Sequence, residues 1–144
     1  KESSAASDVY KRQVGEFRLI GGKQAIHTHT QTANSEPLMA ITKQYGLERV
    51  WMNASRAEEL GISDGDTVEV SNEQHTGKVQ VKVTQRINPD ALYMPSHYGC
   101  SSKEEKTAYG VGLRQMDYVP FRIEPGYGGI CSQEAVVTVK KVGA

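Results

Sequence analysis

The 144-residue chain has few cysteines and no long apolar run. Cys100 and Cys131 are its only cysteines, and neither belongs to a CxxC motif. Two isolated cysteines exclude a disulfide framework and the compact zinc motifs that depend on paired cysteines. No stretch of about 18 consecutive apolar residues occurs, so we expect no helix that spans a membrane.

An excess of charge of one sign is also absent. Seventeen lysines and arginines balance seventeen aspartates and glutamates, which gives a net charge of zero. Nucleic acids and anionic membranes are normally attracted by a broad basic surface. We therefore predict no nucleic-acid partner and no direct membrane insertion, and any bound anion must be held by local geometry.

The first residues differ in character from the rest of the chain. Residues 1–16, KESSAASDVYKRQVGE, are polar and have no sustained period. We interpret 1–16 as a linker from an upstream region missing from this chain. Residues 17–144 have the length of one domain, which can bury a core without disulfides.

Short alternating segments predict a mainly β domain with short helices. In GKVQVKVTQ, 77–85, the valines at 79, 81 and 83 point to one side and polar residues to the other. Four further strands are predicted, at 17–21, 50–53, 91–94 and 134–142, and Val68 and Val70 alternate on another. A helical turn is expected at 38–45. Many short strands joined by polar loops favour a small β-barrel.

A second short helix and a turn are predicted between these strands. Asn53 or Ser55 can cap the helix, and Gly61 suits its left-handed end. The Asp64-Gly65-Asp66 run that follows has the composition of a tight turn. We expect it to shape the barrel rather than to form a metal or acid cluster.

Two motifs resemble a known family. The loop GGKQAIHTHTQTAN, 21–34, precedes NASRAEELGISDGDTVEV, 53–70, whose A-x-x-L-G-I and D-G-D-x-V-x-V pattern resembles the double-psi β-barrel. Together they resemble the molybdopterin-dinucleotide-binding domain that closes the large subunit of molybdenum and tungsten oxidoreductases of the dimethyl sulfoxide reductase superfamily. The HTHTQTAN motif most resembles the thiosulfate, polysulfide and arsenate reductase branch. The resemblance covers about residues 17 to 142.

The resemblance implies a cofactor-holding module of an anaerobic respiratory oxidoreductase. In the family, the metal ligand and any iron–sulfur cluster come from upstream domains. We therefore expect residues 17–144 to bind a molybdopterin guanine dinucleotide, as part of a bis-molybdopterin site, with no catalytic or metal-ligating residue and no activity in isolation. The implied partners are the upstream domains of the same catalytic subunit and an iron–sulfur electron-transfer subunit, and the implied location is periplasmic.

The first loop offers groups that suit an anionic dinucleotide. Lysine supplies a positive charge, threonines supply hydroxyl donors, glycine lets the backbone approach phosphate, and amides can contact a base or ribose. A neutral imidazole offers one donor and one acceptor to a heterocycle edge. The predicted contacts in this loop are Gly22, Lys23, His27, Thr28, His29, Thr30, Thr32 and Asn34.

His27 and His29 have two other interpretations. Residues i and i+2 of a strand point to the same side, so both imidazoles can reach one metal ion. A zinc site needs further ligands, and His97, Cys100 and Cys131 stand at no compact spacing. The other alternative is a pair of solvated loop histidines. We favour contact with a pterin or phosphate.

A long aperiodic segment, 96–118, and a glycine-rich one, 126–133, supply the remaining candidates. A loop of about 20 residues in a small domain is usually functional or disordered. The predicted cofactor contacts here are His97, Arg114, Gln115 and Gln133. We expect the polar groups of 21–34 and 96–117 to lack internal partners and to be satisfied by water. Cys100 is expected to be inert.

Two other functions are possible on the sequence. A double-psi barrel can also be a non-catalytic interaction module that binds no cofactor. A hydrolase requires a nucleophile, a base and an orienting acid, and no such arrangement is recognisable here. The sequence does not distinguish among the substrates of the resembled branch.

Overall fold

The computed structural model describes residues 14–27, 31–96, 98–130 and 135–143. The described residues form six strands, two helices and one 3-10 turn. The strands are β1 Glu16–Gly22, β2 Val50–Asn53, β3 Thr67–Ser71, β4 Thr76–Thr84, β5 Ala91–Pro95 and β6 Val136–Lys141. The helices are α1 Glu36–Tyr45 and α2 Ala54–Glu59, and the 3-10 turn is Gln115–Tyr118. Neither helix has the length and apolar character that a membrane crossing requires.

The strands close into a double-psi β-barrel, which confirms the predicted fold. Their order around the barrel is β1-β5-β2-β4-β3-β6, and β6 returns to pair with β1. Two pairs are parallel, β1 with β5 and β2 with β4, and the other neighbours are antiparallel. Closure leaves no open edge among the six described strands, so each of them finds backbone partners on both sides.

The predicted alternation builds the barrel core. Val79 and Val81 of β4 are buried, and Val83 packs at the core's margin. The other strands contribute inward side chains in the same way, including Phe17 and Leu19 of β1. Burial of a side chain of this size contributes roughly 1.5–3 kcal/mol, and a one-residue slip in register would turn these side chains outward.

The cap signals around α2 are confirmed. The Asn53 side chain accepts a hydrogen bond from the Ser55 backbone N–H at 3.0 Å. Gly61, which follows the C-cap residue Leu60, adopts φ +64°, a left-handed conformation that favours glycine. The two signals therefore fix both ends of this short helix.

The Asp64-Gly65-Asp66 turn is structural, as expected. The Asp64 carboxylate accepts from the Val83 N–H at 2.8 Å and ties the turn to β4. The Asp66 carboxylate accepts from the Ser63 N–H at 2.8 Å and lies 2.6 Å from the Lys141 ammonium. The Lys141 hydrogen bond, with that of Ser63, lowers the pKa of Asp66. Both carboxylates thus stabilise the barrel end.

Helix α1 is longer than the helical turn predicted at 38–45. Pro37 stands in its first turn, where a missing N–H costs nothing, and Gly46 ends it with φ +59°. The buried side chains of α1 are those of Met39 and Thr42. Through this face, α1 packs against the two polar loops rather than against the barrel core.

A second, smaller core joins those loops. Ala33, Met39, Tyr98 and Ala108 form a buried cluster against which Cys100 and Val111 pack. The cluster is separate from the barrel core. It fixes the first loop, α1 and the segment after β5 relative to one another, and it therefore determines the shape of the surface between them.

Candidate functional site

A cleft of about 660 Å³ opens between the two polar loops. Its walls come from residues 31–34, 96 and 98–102, with further contributions from 105–108 and 114–116. The lining residues are Gln31, Ala33, Asn34, Ser96, Tyr98, Gly99, Cys100, Ser101, Ser102, Glu105, Ala108, Arg114, Gln115 and Met116. The structure thus brings Asn34, Arg114 and Gln115, three of the predicted contacts, to one cavity.

Gln115 lies at the end of β1. Its side chain is buried and its amide oxygen accepts a hydrogen bond from the Ser96 hydroxyl at 3.1 Å. A Cβ at residue 21 would overlap this amide, so Gly21 is required for the close approach. We expected glycine in this loop to let the backbone approach a phosphate, but the side chain of Gln115 takes the space beside Gly21.

Arg114 brings a positive charge to the cleft. Its side chain is 61% exposed, and its Nε lies 3.7 Å from the Asp117 carboxylate. An exposed ion pair of this length is weak, so it does not prevent the guanidinium from contacting an anion. Gly99, with φ +83°, passes directly against the Arg114 backbone nitrogen, which fixes where the side chain emerges.

Asn34 connects the two sides of the cleft. Its side-chain oxygen accepts a hydrogen bond from the Thr107 N–H at 3.1 Å. Residues 34 and 107 are far apart in the chain, so this contact holds the first loop against the segment after β5. The amide that was predicted to read a base or ribose therefore also has a structural partner.

His27, in the first loop, is buried. Only 3% of its surface is exposed, so the alternative of a solvated histidine is wrong for this residue. Its Nδ1 lies 3.1 Å from the Thr32 hydroxyl and its Nε2 lies 2.8 Å from the Thr42 hydroxyl. Burial lowers the pKa of His27 more than a hydrogen bond with Thr32 raises it, so the ring is neutral at neutral pH.

The Tyr98 hydroxyl extends this hydrogen-bonded group. It donates to the Gln24 side-chain oxygen at 3.1 Å and lies 3.2 Å from the Thr42 hydroxyl. Gln24 in turn donates to the Leu47 carbonyl at 2.6 Å. Burial is the main reason that the pKa of Tyr98 is raised, so its hydroxyl keeps its proton.

These contacts correct one expectation from the sequence. We predicted that polar groups of the two loops would lack internal partners, and this is wrong for Gln24, His27, Thr32, Asn34 and Tyr98. Some of these partners are distant in the chain: Tyr98 donates to Gln24, and Thr107 donates to Asn34. Spacing along the chain does not reveal such partners.

Gly22, Lys23 and Thr32 do not belong to the described lining of the cleft. The Gly22 carbonyl accepts from the Tyr93 hydroxyl at 3.1 Å and from the Ser96 N–H at 3.0 Å. These bonds join the end of β1 to β5 and to the residue that follows it. The structural role of Gly22 is therefore in the backbone that supports the cleft.

Five predicted contacts lie outside the described residues: Thr28, His29, Thr30, His97 and Gln133. Within 14–27, 31–96, 98–130 and 135–143, no group of three histidine, cysteine or acidic residues is placed to hold a metal ion. Cys100 lines the cleft, where its sulfur lies 3.9 Å from the Ser102 carbonyl.

Sequence reasoning did not select several residues of the lining. Ser96, Ser101, Ser102 and Glu105 all belong to the segment after β5. The position of that segment was the signal that could have identified them. Polar residues that follow β5 lie at the same end of the barrel as the loop after β1. Because β1 and β5 are parallel neighbours, both strands deliver their following loops to one place.

Comparisons with known proteins identify the family. Residues 17–117 match the molydopterin (molybdopterin) dinucleotide binding domain. The match covers most of the chain, and the chain belongs to this family.

The chain is also similar to parts of longer proteins. It is 25% identical over 123 residues to the thiosulfate reductase molybdopterin-containing subunit PhsA of Salmonella typhimurium, covering 85% of this chain and 16% of that protein. It is 33% identical over 84 residues to the putative dimethyl sulfoxide reductase chain YnfE of Escherichia coli, covering 58% and 10%. The chain thus spans a small part of these relatives.

Among solved structures, acetylene hydratase from Pelobacter acetylenicus superposes with a TM-score of 0.70. The similarity covers 96% of this chain and 19% of that chain, at 11% sequence identity. Identity this low establishes a shared fold alone, and it agrees with the barrel described above.

The described residues fit a dinucleotide. The cleft volume of about 660 Å³ lies within the range of small-molecule and cofactor sites. Serine hydroxyls and amides line it, Arg114 brings a cation, and Tyr98 and Met116 add apolar surface. This mixture of few charges, many neutral donors and some apolar contact suits a phosphate-bearing heterocycle.

Proposed function

We propose that the domain holds the nucleotide part of a molybdopterin guanine dinucleotide in a molybdenum-dependent oxidoreductase of the dimethyl sulfoxide reductase superfamily. The observation that carries the proposal is the cleft. Asn34 from the first loop and Arg114 and Gln115 from the second line one cavity, in a chain of the molybdopterin dinucleotide binding family. When bound, the cofactor supplies the metal at which substrate is oxidised or reduced.

The residues of the cleft offer different interactions to the cofactor. Arg114 offers donors and a positive charge to the diphosphate, and Ser101 and Ser102 offer neutral hydroxyls. A hydrogen bond to a charged group contributes roughly 1.5–3 kcal/mol. Tyr98 and Met116 present flat or flexible apolar surface to a ring. The chain's part is therefore to bind and orient the cofactor.

For the longer protein, we propose reduction of an inorganic sulfur or arsenic compound: thiosulfate, polysulfide or arsenate. The similarity to a thiosulfate reductase subunit supports the first of these. We also propose an iron–sulfur electron-transfer subunit and further domains of the catalytic subunit as partners, and a periplasmic location in anaerobic respiration. These assignments rest on the resemblance to the reductase branch.

A second candidate is a protein-interaction module without a cofactor. The segment 120–130 favours it, because Phe121 is 83% exposed and Tyr127 is fully exposed. Large exposed apolar side chains often mark protein contacts. The two functions are compatible on one domain, but only the first predicts that a nucleotide occupies the cleft.

Arginine substitutions test the proposal in the full-length polypeptide. Arg114→Ala removes the cation at the cleft, whereas Arg86→Ala removes an exposed arginine elsewhere on the domain. Loss of one charge-assisted contact should weaken cofactor binding by roughly 10- to 150-fold. The measurement is molybdenum and guanine nucleotide released per polypeptide, at limiting cofactor supply. Equal cofactor content in the two variants would show that Arg114 does not bind the dinucleotide.

A further inference from the structure

We propose that His27 is a positioning residue that joins the two walls of the cleft from behind. The first wall is residues 31–34, and the second wall is residues 98–102, both of which line the cleft. The sequence predicted direct contact between His27 and the cofactor. The proposal replaces that contact with an indirect role, and it rests on the proposed function of the cleft.

The contact with the first wall is a hydrogen bond. His27 Nδ1 lies 3.1 Å from the hydroxyl of Thr32. Thr32 stands between Gln31 and Ala33, whose side chains line the cleft. The imidazole is therefore bonded to Thr32, which lies outside the described lining. Through Thr32 it holds the lining residues on either side.

The contact with the second wall has two parts. The His27 ring meets the Tyr98 ring edge to face, with centroids 5.5 Å apart and planes at 88°. His27 Nε2 also lies 2.8 Å from the Thr42 hydroxyl, which lies 3.2 Å from the Tyr98 hydroxyl. Thr42 is fully buried on α1, so the helix is the support to which both walls are attached.

The surroundings of His27 favour this role over ligand contact. The residue is 3% exposed, and each ring nitrogen faces a threonine hydroxyl that can donate or accept. A neutral imidazole with one donor and one acceptor is thereby satisfied without a ligand. Buried polar groups are costly when they lose such partners, so the arrangement favours one relative position of the walls.

Thr42 provides the sharpest test, because it is fully buried and lies outside the described lining of the cleft. Thr42→Val removes the hydroxyl and keeps the shape, and Thr42→Ser retains the hydroxyl. If His27 acts by position, Thr42→Val should lower cofactor affinity by roughly 2- to 12-fold, the effect of one hydrogen bond. Thr42→Ser should restore most of it. His27→Phe should lower it at least as much as Thr42→Val.

A measurement without cofactor separates positioning from a general loss of stability. Hydrogen exchange is followed at the Ser35 amide, which donates to the Thr32 carbonyl, and at the Gly99 amide, which donates to the Val111 carbonyl. The Val81 amide, which donates to the Asp66 carbonyl, reports on the barrel. Thr42→Val should accelerate exchange at Ser35 and Gly99 more than at Val81. Val68→Ala, a barrel-core truncation, is the control for stability alone.

The outcomes are distinct. Faster exchange at both walls, with weaker cofactor retention in Thr42→Val, supports the proposal. Unchanged exchange at Ser35 and Gly99, or exchange that rises equally at Val81, overturns it. Full cofactor retention in Thr42→Val beside loss in His27→Phe also overturns it, because that pattern indicates direct contact by His27. If the purified wild-type polypeptide retains no cofactor, the proposed function is wrong. The exchange data then still decide whether His27 joins the walls.

Discussion

At the scale of single residues, His27 and Gln115 show how tertiary neighbours decide what a polar residue does. Both were selected from the sequence because their types suit a heterocycle or a phosphate. His27 is buried against Thr32, Thr42 and Tyr98, whereas Gln115 lines the cleft. The difference arises because α1 and Tyr98 enclose the first residue, whereas the second lies beside the cleft.

The burial of His27 predicts a pH dependence of stability. The unfolded pKa of histidine is about 6.5, and burial lowers the folded pKa. Between these two values the unfolded chain binds more protons, so stability is complete above the unfolded pKa and falls as the pH drops toward the folded one. The slope contributed by one such group is at most about 1.4 kcal/mol per pH unit.

Denaturant unfolding of the chain between pH 8 and pH 5 measures this effect. The wild-type free energy of unfolding should decrease below about pH 6.5, and His27→Gln should remove part of that decrease. His75→Gln, a substitution of an exposed histidine, is the matched control. Parallel pH curves for wild type and His27→Gln would contradict the burial of a neutral imidazole.

At the scale of elements, two glycines in the segment after β5 differ in why glycine is needed. Both have a left-handed backbone, but only one of the two is closely packed. Gly99 and Gly110 have φ values of +83° and +69°. A Cβ at Gly110 meets no atom within 4 Å, whereas a Cβ at Gly99 collides with the backbone of Arg114. Of these two glycines, Gly99 combines a left-handed backbone with close contact to a cleft residue.

Alanine substitutions at these two positions should differ in size. Gly110→Ala should lower the free energy of unfolding by about 1–2 kcal/mol, the cost of a left-handed L-residue. Gly99→Ala should cost a further 1–3 kcal/mol or so, because the overlap with Arg114 resembles overpacking. Calorimetry or denaturant unfolding provides the comparison. Equal losses would indicate that the segment does not pass against Arg114.

The elements themselves were largely predictable from local signals. The alternation of Val79, Val81 and Val83 indicated β4, and Asn53 and Gly61 indicated the ends of α2. These signals depend on neighbours within a few positions. The extent of α1 was underestimated, because its buried face, Met39 and Thr42, is defined by partners distant in the chain.

At the scale of the whole molecule, the order of strands around the barrel explains where the site lies. β1 and β5 are parallel neighbours, so the loops that follow them leave the same end of the barrel and form the two sides of the cleft. The resemblance supplied this fold, but the pairing of the 31–34 segment with Ser96, Gly99 and Arg114 required the structure. Composition identifies polar loops, whereas only topology determines which loops meet.

The barrel core is separate from the hydrophobic cluster beside the cleft. All six described strands contribute to the barrel core, whereas the cleft residues Ala33, Tyr98, Cys100 and Ala108 belong to or pack against the second cluster. We therefore expect the chain to fold without cofactor, so that ligand binding can be measured on it directly. Binding should be weak, because four charge-assisted hydrogen bonds give about 6–12 kcal/mol against association costs of at least about 4 kcal/mol.

The central claim is that a guanine nucleotide occupies the cleft, and a titration of the isotope-labelled chain with GDP at millimolar concentrations tests it most directly. Backbone amide signals should shift in a saturable way at Asn34, Gly99 and Gln115, which line the cleft. Arg114→Ala should weaken this binding, and Arg86→Ala should not. The absence of saturable shifts at the cleft, or saturable shifts confined to 120–130, would contradict the account.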